Sequence, residues 1–254
     1  MAWLPYETHL RLDDLIAPVI GVASDFGKHD SQLHQHQHSQ LLFAKHGAIH
    51  IMTGQILSIL SPNRVAYIPP NTMHRVVMYN SVDYRSIYID AQVYQGMPTE
   101  VAIYDTSALI KEVLEQIAFM PFKTNWEKGD PYHLLSLCFS WLNGPSLQQM
   151  SLPLPQDKRL QPLVESLALL PPTLTKLTTY VGASEKTIGR IFNREVGMSY
   201  QQWRQRWRFI KAVELLATGK NNTDIAQLLD FSSDSAFTTF FKQWSGCTPK
   251  QFKK

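Results

Sequence analysis

The sequence has little cysteine, no long apolar run, and no histidine beyond position 133. Two cysteines, Cys138 and Cys247, rule out a disulfide framework and a cysteine-rich zinc finger. Each reads as a small buried hydrophobe. No stretch of 18 apolar residues occurs. The most hydrophobic helical stretch, Leu109–Met120, is interrupted by Lys111, Glu112 and Glu115, so no membrane span is expected. The opening Met1-Ala-Trp-Leu-Pro-Tyr-Glu7 lacks a basic region followed by an apolar one. No signal peptide is expected there, and the chain is read as cytoplasmic. What is present is ordinary soluble composition: 254 residues, 44% hydrophobic and 18% charged, enough for one large domain or two modest ones.

The net charge of +3 hides an asymmetry. Residues 1–155 hold 9 Lys+Arg against 13 Asp+Glu, a balance of −4, and all nine histidines. Residues 156–254 hold 15 against 8, a balance of +7. Halves of opposite charge suggest two domains with different partners, the basic one facing nucleic acid.

Residues 17–90 read as β-structure, with short Val/Ile/Leu/Tyr runs cut by turn signals. Strands are expected at Pro18–Phe26, Gln40–Lys45, Ala48–Thr53, Gln55–Leu60, Ala66–Ile68, His74–Met78 and Tyr84–Ile89. Two helices follow. One is capped within Asp105-Thr106-Ser107 and carries the stripe Leu109, Ile110, Val113, Leu114 and Ile117. The other opens at Asp130-Pro131 and runs to Asn143-Gly144. These helices either pack on the back of the β-unit or form a dimer interface. Asn143–Gln156 has three prolines and no charge and reads as an exposed linker. The expected division is 1–150 and 151–254.

Residues 183–203 align without gaps to residues 232–252. Ser184/Ser233, Glu185/Asp234, Ile188/Phe237, Phe192/Phe241, Gly197/Gly246, Ser199/Thr248 and Trp203/Phe252 correspond. Each copy starts with a serine cap and a first-turn carboxylate, continues with apolar residues at helical spacing, and stops at glycine. Each follows a short helix and a tight turn. This is either a helix-turn-helix, whose second helix lies in a major groove, or a repeated packing unit. The +7 charge, the small polar residues at the helix starts and the interleaved Trp203-Arg204-Gln205-Arg206-Trp207-Arg208 favour DNA.

Residues 173–254 resemble the paired helix-turn-helix domain of AraC/XylS-type transcription regulators. The matching string is Ser184-x-x-Thr187-Ile188-x-Arg190-Ile191-Phe192, then Met198-Ser199, Trp203, Arg208-Phe-Ile-x-Ala212-x-x-Leu215-Leu216-x-x-Gly219. It continues through Ile225-Ala226-x4-Phe231, Ser235-Ala-Phe237-x-x-Phe240-Phe241-Lys242 and Thr248-Pro249. The resemblance implies recognition helices near Glu185–Glu195 and Asp234–Trp244, joined by a helix carrying Trp207–Ala217. Together they would read successive major grooves roughly 34 Å apart. It implies base contacts from Lys186, Arg190, Ser235 and Thr239, and phosphate contacts from Ser184, Thr187, Ser233 and Lys242. RNA polymerase is an implied partner if the chain is an activator. Three positions depart from the family: Asp230 stands for the usual turn glycine, Thr178 for a small alanine, and Thr239 for a frequent arginine.

His34-Gln-His36-Gln-His38-Ser-Gln40 alternates strictly, so on a strand all three imidazoles and the Gln40 amide share one face. That row is either a wet strand or loop, or a metal or ligand site. His34-x-His36-x3-Gln40-x6-Gly47 and the later Pro69-Pro70-Asn71-x-x-His74 resemble the two cupin motifs. The resemblance implies a small β-barrel or jelly roll and a site of His34, His36, Gln40 and His74. It would hold Zn²⁺, Ni²⁺ or Cu²⁺, or hydrogen-bond an organic effector. Gln40 departs from the usual glutamate; His38 is a substitute for it, and His46 and His50 read as surface residues. The fold class is therefore α+β in two domains: a cupin-like barrel or jelly roll with two following helices, then an all-α domain of two helix-turn-helix units joined by a long helix. The function expected is an effector-controlled, sequence-specific DNA-binding regulator, not an enzyme, with a homodimer implied by helices 105–142. The alternative is a metal-dependent cupin oxygenase or isomerase carrying a DNA-binding domain.

Overall fold

The computed structural model describes residues 17–93, 96–147, 150–166 and 169–252. The N-terminal stretch read for a leader lies outside them. The chain divides into two compact units: residues 1–54 with 59–150, and residues 55–58 with 151–254.

Antiparallel strands build the first unit. They are β1 (Val19–Phe26), β2 (His29–Asp30), β3 (Ser39–Ala44), β4 (Ile49–Thr53), β5 (Ile56–Leu60), β6 (Arg64–Ile68), β7 (His74–Met78), β8 (Val82–Ile89) and β9 (Ala102–Asp105), with residues 56–58 of β5 belonging to the second unit. One sheet runs β1-β8-β3-β6-β9 and a second runs β5-β4-β7-β2. The two sheets stay separate among the described residues, so the cupin-like unit is an open jelly-roll sandwich and not a closed barrel. Seven expected strands are present within a residue or two. β2 and β9 are additions, because two to four residues carry too little periodicity to read.

Strand alternation gives the first sheet two different faces. One face presents Leu41, Phe43, Val65, Tyr67, Ile87 and Ile89 to helices α1 (Ala108–Ala118) and α2 (Gly129–Leu142). The stripe Ile110, Val113, Leu114 and Ile117 is buried there with Leu135, Cys138, Phe139 and Leu142. The helices thus pack on the β-unit, one of the two readings above. Ser107 caps α1 by accepting from the Ile110 amide at 3.2 Å. Asp130 lies inside the first turn of α2 rather than at its cap, which is Lys128. Gly21 explains how closely α1 approaches β1: a Cβ there would stand 2.4 Å from the Ala118 carbonyl oxygen. Arg85, almost wholly buried, fastens sheet to helix through Glu115 at 3.0–3.1 Å.

The second unit opens with β10 (Ser151–Pro153), which pairs antiparallel with Ile56–Ser58. This corrects the exposed-linker reading of 143–156 at its far end, where Met150, Leu152 and Leu154 are all buried. The indole of Trp203 donates to the Pro153 carbonyl at 2.7 Å. Then come a 3-10 turn (Lys158–Leu160) and helices α3 (Gln161–Glu165), α4 (Leu174–Val181), α5 (Glu185–Ile191), α6 (Tyr200–Ala217), α7 (Asn222–Leu228), α8 (Asp234–Ser245) and α9 (Pro249–Phe252). A π-helical turn, Phe192–Val196, extends α5 to the stop at Gly197. Buried residues on several faces of α6 serve both repeats. Trp203 meets Phe192 and Tyr200, while Phe209 meets Phe241.

Candidate nucleic-acid interface and candidate effector site

The two helix-turn-helix repeats are α4–α5 and α7–α8. The first turn is made by Gly182, whose φ of +63° suits a residue without Cβ. The second is made by Asp230 at φ +59°, a left-handed conformation that aspartate tolerates better than most residues. Ser184 caps α5 by accepting from the Thr187 amide at 3.2 Å, and Ser233 caps α8 by accepting from Ala236 at 3.1 Å. Both carboxylates that would repel phosphate are engaged within their repeat. Thr175 donates to Glu185 at 3.3 Å, and Thr223 donates to Asp234 at 2.7 Å. The first of these links spans ten residues and the second eleven, matching the one-residue-longer second turn.

Of the eight residues expected at DNA, Ser184, Lys186, Arg190, Ser233, Ser235, Thr239 and Lys242 are exposed and Thr187 is half-buried. Ile188, Ile191, Phe237 and Phe241 hold the opposite faces in the core.

The basic-aromatic stretch 203–208 is not the solvent-facing stripe its composition suggests. Trp203, Trp207 and Arg208 are buried. The Arg208 guanidinium lies 3.7 Å from the Phe231 ring centre and donates to the Asp230 carbonyl at 2.9 Å. Burial brings its pKa down to about 10. Arg204 donates to the Pro171 carbonyl at 2.7 Å. These arginines hold the domain together, so the run does not support DNA binding. The conspicuous missed residue is Glu195. Its carboxylate accepts from the Gln156 and Asp157 amides at 2.9 and 3.0 Å, tying the chain after β10 to the end of the first recognition helix.

In the first unit the histidine row is not a strand. His34 forms an isolated bridge with His74, residues 35–38 are loop, and β3 begins at Ser39. The predicted set still converges. Ring centres of His34 and His74 are 4.3 Å apart and those of His36 and His74 are 5.0 Å apart. One nitrogen from each of the three imidazoles lies within 4.8 Å of the others. His38 does not stand in for Gln40; its carbonyl accepts from His36 Nδ1 at 2.6 Å. His50, read as a surface residue, is buried beside Tyr79, while His46 is exposed.

The tautomers follow from the hydrogen bonds. Nδ1 of His34 donates to the Gln32 carbonyl at 3.0 Å, and Nδ1 of His74 to the Thr72 carbonyl at 2.8 Å. With His36, all three rings place their proton on Nδ1 and leave Nε2 as a lone pair, the arrangement that orients imidazoles toward a metal. Burial lowers the pKa of His36, and brings that of His74 down to about 4, so both rings are neutral at pH 7. Nε2 of His74 is buried with no hydrogen-bond partner among the described residues.

Gln40 Oε1 stands 3.2 Å from His36 Nε2. Its amide nitrogen donates to Ser86 Oγ at 2.8 Å and to the Tyr88 hydroxyl at 3.1 Å. Turning the amide over would let it donate to His36 instead, with the hydroxyls donating to its oxygen. In either orientation the His74 lone pair stays unmatched. The surroundings are uncharged: Tyr84 and Tyr88 are buried, and burial raises both of their pKa values.

Comparison with known proteins concerns both units. Residues 177–254 match the family model described as a helix-turn-helix domain. The HTH-type transcriptional regulator NimR of Escherichia coli (strain K12) is 28% identical over 227 residues, 87% of this chain and 82% of that protein. The HTH-type transcriptional regulator RipA of Corynebacterium glutamicum is 30% identical over 103 residues, 39% of this chain and 31% of that protein. Among solved structures, ToxT from Vibrio cholerae aligns over 93% of this chain and 98% of its own, with a TM-score of 0.38 and 12% identity.

Proposed function

We propose that this chain is an AraC/XylS-type transcription regulator, with a helix-turn-helix DNA-binding domain and an N-terminal jelly-roll unit that responds to an effector. In this reading the chain acts as a regulator. The observation that carries the DNA-reading part is the matched pair of exposed helix faces, α5 and α8, on buried cores that share α6. In this reading Lys186 and Arg190 face bases in one major groove, and Ser235 and Thr239 face bases in the next. The hydroxyls of Ser184, Thr187 and Ser233, and the ammonium of Lys242, contact phosphates, which fixes register without reading sequence. Arg190 carries the most discrimination, because a guanidinium pairs with two acceptors on guanine. Gel-shift titration against the chain's own upstream region tests this. Arg190→Ala should lose about 1–3 kcal/mol of specific affinity and relax the preference at one base step. Unchanged preference would contradict the role.

The same reading places the effector site at His34, His36, Gln40 and His74. Three lone pairs fixed by backbone carbonyls, an amide oxygen beside them and an orphaned buried nitrogen fit a divalent ion such as Zn²⁺, Ni²⁺ or Cu²⁺. A bound ion would supply a Lewis-acidic anchor for an oxygen or nitrogen of a small molecule. The ligand set is wholly neutral, so the protein leaves the ion's charge to be balanced by that molecule. Metal content of the purified chain, compared with His34→Ala/His74→Ala, tests the ion. Equal content in both would remove it and leave the same groups as hydrogen-bond partners of an organic effector. Action in the cytoplasm, a homodimer joined through the exposed Leu109 and Leu137, and contact with RNA polymerase in the case of an activator belong to the same proposal.

A further inference from the structure

A cleft of 1020 Å³ opens in the first unit on the helix-bearing side of the first sheet. That is the face opposite Gln40 and Ser86, so the cleft is separate from the histidine site. It lies at the upper end of the size range of about 300–1,000 Å³ usual for small-molecule sites. The α2 residues Leu135 and Phe139 and the loop residue Trp126, all buried, belong to its walls, and Tyr132 lines it from a half-exposed position. Three aromatic rings in one cleft favour a flat, π-bearing occupant.

The polar lining is as informative. Among the described lining residues the one ionisable group below neutral pH is Glu127; no lysine, arginine or histidine is present. An anion would therefore find no counter-charge. The hydroxyl of Ser136 is spent on the Tyr132 carbonyl at 2.8 Å and that of Thr124 on the Pro121 carbonyl at 2.6 Å. The indole nitrogen of Trp126 is different: the residue is 6% exposed, and its N–H is buried with no acceptor among the described residues. That donor has no accessible surface, so Trp126 gives the cleft an apolar wall rather than a hydrogen bond.

We propose that this cleft, walled by Trp126, Tyr132 and Phe139 with Glu127 at its rim, is a second small-molecule site for a neutral or singly cationic planar aromatic compound. The proposal does not rest on the histidine site and survives its failure. The ligand reaches α2 and, through Pro18 and Val93, both the start of β1 and the segment after β8. Occupancy thus bears on the seam between the helices and the first sheet.

The test is fluorescence titration of the full chain, free of DNA, with three probes of similar size. They are neutral N-phenyl-1-naphthylamine, cationic thioflavin T and the anionic anilinonaphthalene sulfonate. One equivalent of each of the first two should bind, with the anionic probe at least tenfold weaker. Ser140→Trp, on the lining, should fill the cleft and weaken both by tenfold or more while the far-UV spectrum stays that of the parent. Ser136→Trp serves the same purpose if the first variant does not fold. Glu127→Gln should weaken thioflavin T about threefold and leave the neutral probe unchanged, as expected of an exposed charge. Absence of one-to-one binding, preference for the anionic probe, or binding that survives a folded cleft-filling variant would each overturn the proposal.

Discussion

At the scale of single residues, the informative cases are those where residue type misleads. Arg208 reads as a basic residue in a DNA-binding domain, yet it is buried against Phe231 and holds the Asp230 carbonyl. A chain sequence shows its charge but not that the left-handed turn at Asp230 lies beside it. Arg208→Ala removes a desolvated cation–π contact and a charge-assisted hydrogen bond. It should destabilise the second unit by about 2–3 kcal/mol. Denaturant unfolding of that unit checks this, and a loss below about 0.5 kcal/mol would show that the contact is decorative. His74 gives a pH prediction. Its pKa falls from 6.5 in the unfolded chain to about 4 when folded, through burial. Between those values the unfolded chain holds a proton there and the folded chain does not. Stability is therefore complete above pH 6.5 and declines as pH falls toward 4, by about 3 kcal/mol in the metal-stripped protein. Unfolding midpoints across pH 4–7 should show that slope, and His74→Gln should flatten it.

At the scale of elements, most of the architecture is legible because turn signals are frequent and the strands between them are strongly apolar. The exceptions have physical reasons. β10 hides in a proline-rich, uncharged stretch. Its signal is the two-residue alternation of Met150, Leu152 and Leu154, overridden by the weight given to proline; Pro153 is tolerated there in a short strand with a single recorded partner, β5. The histidine row shows the reverse error. Its alternation suggests a strand, but a loop over residues 35–38 brings His34, His36 and Gln40 to His74 just as well, because carbonyls of Gln32, His38 and Thr72 orient the rings. The convergence of these residues is readable from the motif, while ring orientation depends on backbone carbonyls that no spacing displays. Between elements, the contact of β1 with α1 depends on Gly21. Gly21→Ala drives a methyl into the Ala118 carbonyl, and should cost the first unit about 1–3 kcal/mol. A thermal melt of the first unit that is unchanged would mean that α1 can shift without penalty.

At the scale of the whole molecule, the charge asymmetry now has a structural basis. The acidic half contains the histidine site, where neutral imidazoles and an amide surround an unmatched lone pair. The basic half presents Lys186, Arg190 and Lys242 on the exposed faces of two capped helices, α5 and α8. Arg204 and Arg208, by contrast, are spent inside the fold. In the function proposed above, both helix-turn-helix repeats read one stretch of duplex. Footprinting of the full chain over its own upstream region, at several salt concentrations, tests it most directly. Two protected segments about one helical turn apart are expected, weakening as salt rises, with Arg190→Ala losing protection of one segment first. A single protected segment, or protection that shows no preferred sequence and is indifferent to Arg190→Ala, would contradict it.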